Sequence, residues 1–117
     1  MTLETKLKTV GATVFARFMP DEAPFDTPRP YAVWQQVGGD ALTYVEGALP
    51  DKENALVQIR IWADTRIEAS GLSRQLEQAL VASTDFQARA ASARVNEKEG
   101  DAYGNRQDFS IWVARSP

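Results

Sequence analysis

Ala55-Leu-Val-Gln-Ile-Arg-Ile-Trp-Ala63, followed directly by Asp64-Thr-Arg-Ile-Glu68, is the stretch that decides the fold. In the first segment Val57, Ile59 and Ile61 alternate with Gln58, Arg60 and Trp62. This period of two puts one apolar face on a half-buried strand. In the second, Thr65 and Glu68 have capping-box spacing, a hydroxyl at the helix N-cap and a carboxylate three residues on. Beyond it Ala69, Leu72, Leu76, Ala79 and Leu80 form one apolar stripe, so the helix is expected to run to about Ala82. Gly71 inside it costs about 1 kcal/mol relative to alanine, which points to close packing at that position.

Working outward, Tyr31–Val37 alternates as a second strand, with Tyr31, Val33 and Val37 on one side and Ala32, Trp34 and Gln36 on the other. Before it, Pro20, Pro24, Pro28 and Pro30 exclude a helix or a central strand and make 19–30 an extended surface connection. Leu3, Leu7 and Val10 mark a short N-terminal helix over 2–10 with Thr2 as its cap, and Val14–Phe18 reads as a short strand after Gly11. Residues 38–54 read as a long loop that holds a brief strand over Leu42–Val45 at most. Downstream, Arg89–Asn96 is a strand, Glu97–Asn105 a charged turn, and Asp108–Ala114 a last strand with Phe109, Ile111 and Val113 opposite Ser110 and Trp112. The fold class is α+β: an antiparallel sheet of about four to five strands, one long helix on one face and a short N-terminal helix, in one domain over 1–117.

Composition narrows the chemistry. The chain has no cysteine and no histidine, which removes disulfides, thiolate nucleophiles, imidazole acid–base catalysis and the usual zinc sites. A net charge of −3 argues against a nucleic-acid or anionic-lipid surface. The N-terminus lacks the apolar core of a secretory signal, and no run is long enough to span a membrane, so a cytoplasmic protein is expected. Glu97, Glu99 and Asp101 around Gly100 do not match a calcium loop and read as a solvated turn. Arg66, Glu68, Arg74 and Glu77 read as the wet face of the helix, and Gly38-Gly39 lacks the lysine and following helix of a phosphate loop. No nucleophile–base pair, cofactor site or metal site is expected.

Each of Trp34, Trp62 and Trp112 lies opposite the apolar residues of its own strand. If the three faces coincide, they make an aromatic patch larger than soluble monomers leave uncovered, at about 200 Å² per ring. Either the chain's own N-terminal helix and Pro-rich segment shelter them, or another subunit does. Tryptophan and arginine are the residue types enriched at interface hot spots. Trp34, Trp62 and Trp112 with Arg60, and Tyr44 from the long loop, are therefore the candidate interface residues. Stacking of single-stranded bases on such a face needs a basic groove, which the charge does not favour.

The run Pro30-Tyr31-Ala-Val-Trp-Gln-Gln-Val37, then Val57-Gln-Ile-Arg-Ile-Trp-Ala-Asp-Thr65 leading into a helix, then Arg106-Gln-Asp-Phe-Ser-Ile-Trp112, resembles the tail completion (tail terminator-like) proteins of long-tailed bacteriophages and prophages. The resemblance spans 28–114 and rests on order and spacing. Gln58, Trp62, Asp108, Phe109 and Trp112 match fold-defining positions of that pattern, none of them catalytic. Family members commonly carry a longer N-terminal helix than the ten or so residues present before Gly11. The resemblance implies a structural role without enzyme activity. It implies a ring of copies, often a hexamer, capping the tail tube at its head-proximal end and helping to join head and tail. The implied partners are further copies of the chain, the tail tube protein and a neck or head completion protein. The implied location is the bacterial cytoplasm during assembly and then the virion tail. The alternative is a small α+β ligand-binding domain or enzyme subunit using carboxylates and Arg60 in a pocket.

Overall fold

The structure, a computed structural model, describes residues 3–38 and 52–114. In chain order the elements are α1 (Leu3–Gly11), β1 (Phe18–Pro20), β2 (Tyr31–Gly38), β3 (Lys52–Ala63), α2 (Arg66–Ala82), β4 (Gln87–Ala90), β5 (Val95–Glu99) and β6 (Ala102–Ala114). The strands form one sheet in the order β1-β2-β3-β6-β4, with β5 beside β6 on the same edge as β4. Every pairing is antiparallel except β1 with β2, which is parallel. The expected α+β class holds, with a six-stranded sheet.

β3 and β6 are the longest strands, and their register runs from Lys52↔Ala114 to Ala63↔Tyr103. It sets Val57 opposite Phe109 and Ala55 opposite Ile111, so the two apolar rows lie side by side. On that face Val57, Ile59, Ile61, Phe109, Ile111 and Val113 are buried and join Leu76 and Leu80 of α2 in the core. Leu7 and Val10 of α1 and Phe15 and Phe18 beyond it complete the same cluster. The hydroxyl of Thr65 accepts the Glu68 N–H at 3.1 Å. The Glu68 carboxylate takes the N–H of Asp64, one residue earlier than in the usual box. Such a cap contributes about 1 kcal/mol and fixes where the helix leaves the strand.

Several expectations need correction. The short strand is Phe18–Pro20 and not Val14–Phe18, because residues 12–14 turn after α1, with Phe15 N–H bonded to the Gly11 carbonyl. Pro20 sits in this strand at the sheet edge, where its missing N–H leaves no ladder bond unmade. Gly71 meets no atom within 4 Å of where a Cβ would stand, so close packing does not explain it. The close approach is at Gly11 instead, where a Cβ would come within 2.4 Å of the Phe18 ring. The segment 89–96 is two strands, β4 and β5, separated at Ala91–Arg94. The charged turn shrinks to Gly100-Asp101 between the paired residues Glu99 and Ala102. Gly100 has φ of +57°, the positive value that a tight two-residue hairpin loop asks of its first residue. Thr2 and the Leu42–Val45 strand lie outside the described residues.

Glu77 is not simply a wet residue of α2. Its carboxylate pairs with Arg94 at 3.2 Å and accepts from the Gln107 amide at 3.2 Å. Gln107 is 5% exposed and also donates to the Ser92 carbonyl, while Arg94 Nε donates to buried Ser73. The Ser92 hydroxyl accepts the Asp108 N–H. These bonds tie the 91–94 break to α2 and β6, although the Gln107 Oε1 beneath the helix has no hydrogen-bond partner among the described residues.

Gly11→Ala is expected to destabilise the protein by about 1–3 kcal/mol, since the Phe18 ring would have to leave a packed site; a thermal melt of the variant should show a loss of several degrees. Glu77→Ala leaves the buried Gln107 amide with one partner fewer and Arg94 without its carboxylate. A loss of about 1–3 kcal/mol is expected in urea unfolding.

Candidate functional site

The sheet face away from the helices is built by the alternate residues of the same strands. β3 contributes Asn54, Leu56, Gln58, Arg60 and Trp62; β6 contributes Gly104, Arg106, Asp108, Ser110 and Trp112; β2 contributes Tyr31, Val33 and Gln35. No described helix packs on it, and most of these side chains are half-buried or exposed.

Position by position, the register turns this list into a ladder. Trp62 stands opposite Gly104, and its ring carbons lie where a Cβ on that glycine would meet them at 2.8 Å. The indole is laid flat over bare backbone, and Tyr31 flanks it on β2. On the next rung Arg60 faces Arg106, a like-charge pair that is unfavourable by itself. Glu97 of β5 reaches between them, 3.3 Å from Arg60 Nε and 3.9 Å from Arg106 Nη1. The shorter approach is out of line for a hydrogen bond, so the attraction is one of charge. Two guanidiniums against one carboxylate leave the cluster net positive. Gln58 donates to Asp108 at 3.3 Å and Asn54 to Ser110 at 2.8 Å, which answers the polar groups further along. Trp112 lies opposite Asn54, eight positions along β3 from Trp62 and about 27 Å away.

The three tryptophans therefore do not share a face. Trp34 pairs with Ile59 and Ala32 with Ile61, so both point to the helices. Trp34 is 8% exposed and belongs to the core with Leu7, Val10 and Phe18. The chain itself shelters that indole. Of Tyr31, Val33 and Val37, the residues that looked like the inward row of β2, Tyr31 and Val33 face outward opposite Trp62 and Arg60, and Val37, unpaired where the register shifts, is 47% exposed. Of the candidate residues, Arg60 and Trp62 are brought together, Trp112 shares their face at its far end, Trp34 is on the other face, and Tyr44 lies outside the described residues.

Sequence reasoning missed Glu97, which had been assigned to a solvated turn, and Gly104 as the seat of Trp62. The Gly100-Asp101 hairpin signal flanked by alternating residues could have placed Glu97 on a strand. It also missed Phe25, 93% exposed in the Pro-rich segment. That segment bounds an open recess of about 610 Å³ with Tyr31, Asp64 and Ala102, and the Arg29–Asp64 ion pair at 3.0 Å closes one wall. Arg60 points instead to the open face, against Glu97 and Arg106. Among the described residues no three acidic, histidine or cysteine side chains gather closely enough to hold a metal ion. No described helix is long and apolar enough to cross a membrane.

No curated protein matches the chain at a significant level. The family described as Tail completion protein gp17 matches residues 4–114, which takes in both helices and every strand of the sheet. The chain belongs to that tail completion family, whose members are structural components of bacteriophage tails.

Proposed function

We propose that the protein works as a closed ring of copies, six in the arrangement its sequence resemblance implies. The ring sits at the head-proximal end of a phage or prophage tail, caps the tail tube and helps join it to the head. It does so without enzyme activity. Its contacts are with further copies of itself, with the tail tube protein and with a neck or head completion protein, first in the bacterial cytoplasm and then in the virion.

The observation that carries this reading is the uncovered sheet face of a tail completion family member. Trp62, Trp112, Leu56 and Val33 lie there beside Arg60 and Arg106, with no described helix over them. An apolar face mixed with tryptophan and arginine is what a partner surface of another chain would cover. A closed ring needs two different patches per subunit, one for each neighbour, and ends that meet other components. The sheet offers a face, two edges and loop-bearing ends for these tasks. Trp34 contributes by holding α1 against β2. Arg60, Trp62 and Trp112 are the contact residues, with Tyr44, which lies outside the described residues, a further candidate.

The protein mixed with purified tail tubes is expected to appear at one end of each tube in electron micrographs and to stop further growth there. Decoration along the tube wall, or indifference to tube ends, would count against the reading. Arg60→Glu is expected to lower end binding at least several-fold while leaving the melting temperature within about 2 °C. Arg60 sits on a partly exposed ion pair, a class that contributes only about 0–1 kcal/mol to stability.

A further inference from the structure

We infer that Phe25 of one copy inserts into the recess beside Trp112 of the next, with Asp26 of the first against Arg89 of the second. This is a head-to-tail contact between identical chains. It rests on the ring reading above and specifies its subunit contact.

Phe25 is presented by a hydrogen-bonded turn. Thr27 N–H donates to the Pro24 carbonyl at 3.1 Å and its hydroxyl donates to the same oxygen at 2.6 Å. This makes Pro24–Thr27 a closed turn with Phe25 and Asp26 at its centre, Asp26 taking φ of +71°. The Arg29–Asp64 pair ties the segment to the end of β3. A phenyl ring left 93% exposed at such a place is neither core nor a random surface residue of a floppy loop. A turn fixed before contact loses little freedom on binding, which favours affinity. Beside the ring Asp21, Glu22 and Asp26 are exposed, and the nearest cation in sequence, Arg29, is paired with Asp64, so the projecting turn carries net negative charge.

The complementary feature lies at the other end of the sheet. Gln87, Ala88, Arg89 and Trp112 line a recess of about 330 Å³, large enough for a phenyl ring and open to solvent. Arg89 follows on the same face of β4 as Gln87, which pairs with Trp112. Among the described residues Arg89 makes no ion pair. An apolar knob flanked by acid thus matches an indole-lined recess flanked by a free guanidinium. The Phe25 loop borders Ala102 at the start of β6, and Trp112 is ten positions along that strand, about 33 Å away. One chain cannot fill its own recess. A second copy can, and a contact between two different patches repeats into a ring when its rotation closes.

The test uses the full chain, alone at high concentration and with tail tubes, with assembly mass read by light scattering and end-bound protein counted in micrographs. Phe25→Ala is expected to lower assembly tenfold or more without changing the melting temperature, because the ring is exposed in the single chain. Asp26→Arg and Arg89→Asp should each lower assembly several-fold. The double variant, which restores opposite charges across the contact, should return to within about twofold of the original protein. Assembly of Phe25→Ala at the original level overturns the contact, as does a double variant no better than either single one, or a mass that stops at a two-fold dimer. If those variants cap tubes normally, the contact alone falls. If the original protein neither associates nor reaches tube ends, the ring reading falls with it.

Discussion

The pairing of β3 with β6 is the interaction on which the rest of the structure depends. Side chains alternate along each strand, so the single register from Lys52↔Ala114 to Ala63↔Tyr103 assigns every residue of both strands to a face at once. A slip of one residue in β6 would send Phe109, Ile111 and Val113 into water and bring Arg106 and Asp108 under the helix, which the buried face cannot tolerate. The same pairing also places α2, because the Thr65 cap starts the helix two residues after the last strand residue, Ala63. β2 then takes its sidedness from β3, and α1 follows from β2 through Trp34. The open face, the candidate functional one, is whatever this chain of dependence leaves over.

How much of this the sequence made legible follows the same logic. β3 and α2 were readable because their periods, two and then 3.6, are strong and separated by a cap. The two faces of β2 were readable as well, but not which one turns inward. Tyr31, Val33 and Val37 look like the better core row on hydropathy alone, yet Ala32 and Trp34 are the buried ones. The choice is made by neighbours remote in sequence. Ala32 must pair with Ile61, and Trp34 shares one core cluster with Leu7 and Val10 of α1 and with Phe18, where the edge strand starts four residues later than its local pattern suggests. Alternation carries no sign; the partner supplies it. That is why an aromatic patch of three tryptophans was inferred where the fold keeps one inside, lays one over Gly104 and leaves one at the far end.

The misread stretch 89–105 has a different cause. Ala91–Arg94 leaves the strand where Arg94 reaches Ser73 and Glu77 of α2 and Gln107 bridges Glu77 to the Ser92 carbonyl, a network assembled from three elements that no local pattern reveals. Beyond it Gly100 allows a turn tight enough to return Glu97 to the sheet as a strand residue, and so to the two arginines. The carboxylate is part of the site only through this hairpin. Without it Arg60 and Arg106 would face each other unrelieved.

The edges of the sheet bear on how such a protein meets others. One edge is β1, three residues long and ending in Pro20, and the described part of β2 beyond it is irregular between Gln36 and Gly38. The other edge is split into β4 and β5, and β5 carries Glu97, Lys98 and Glu99. Short strands, proline, breaks and charge are the features that discourage pairing with a foreign strand. Among the described residues neither edge is suited to adding one. On the reading proposed above, association falls to side chains: those of the open face, and the projecting Pro24–Thr27 turn. A surface of that kind recognises shape and charge at a few positions, so it can be saturated by one neighbour on each side, whereas an open edge would accept any strand offered. If the protein caps a tube as proposed, it gains from that restriction, since it must stop a polymer without becoming one itself.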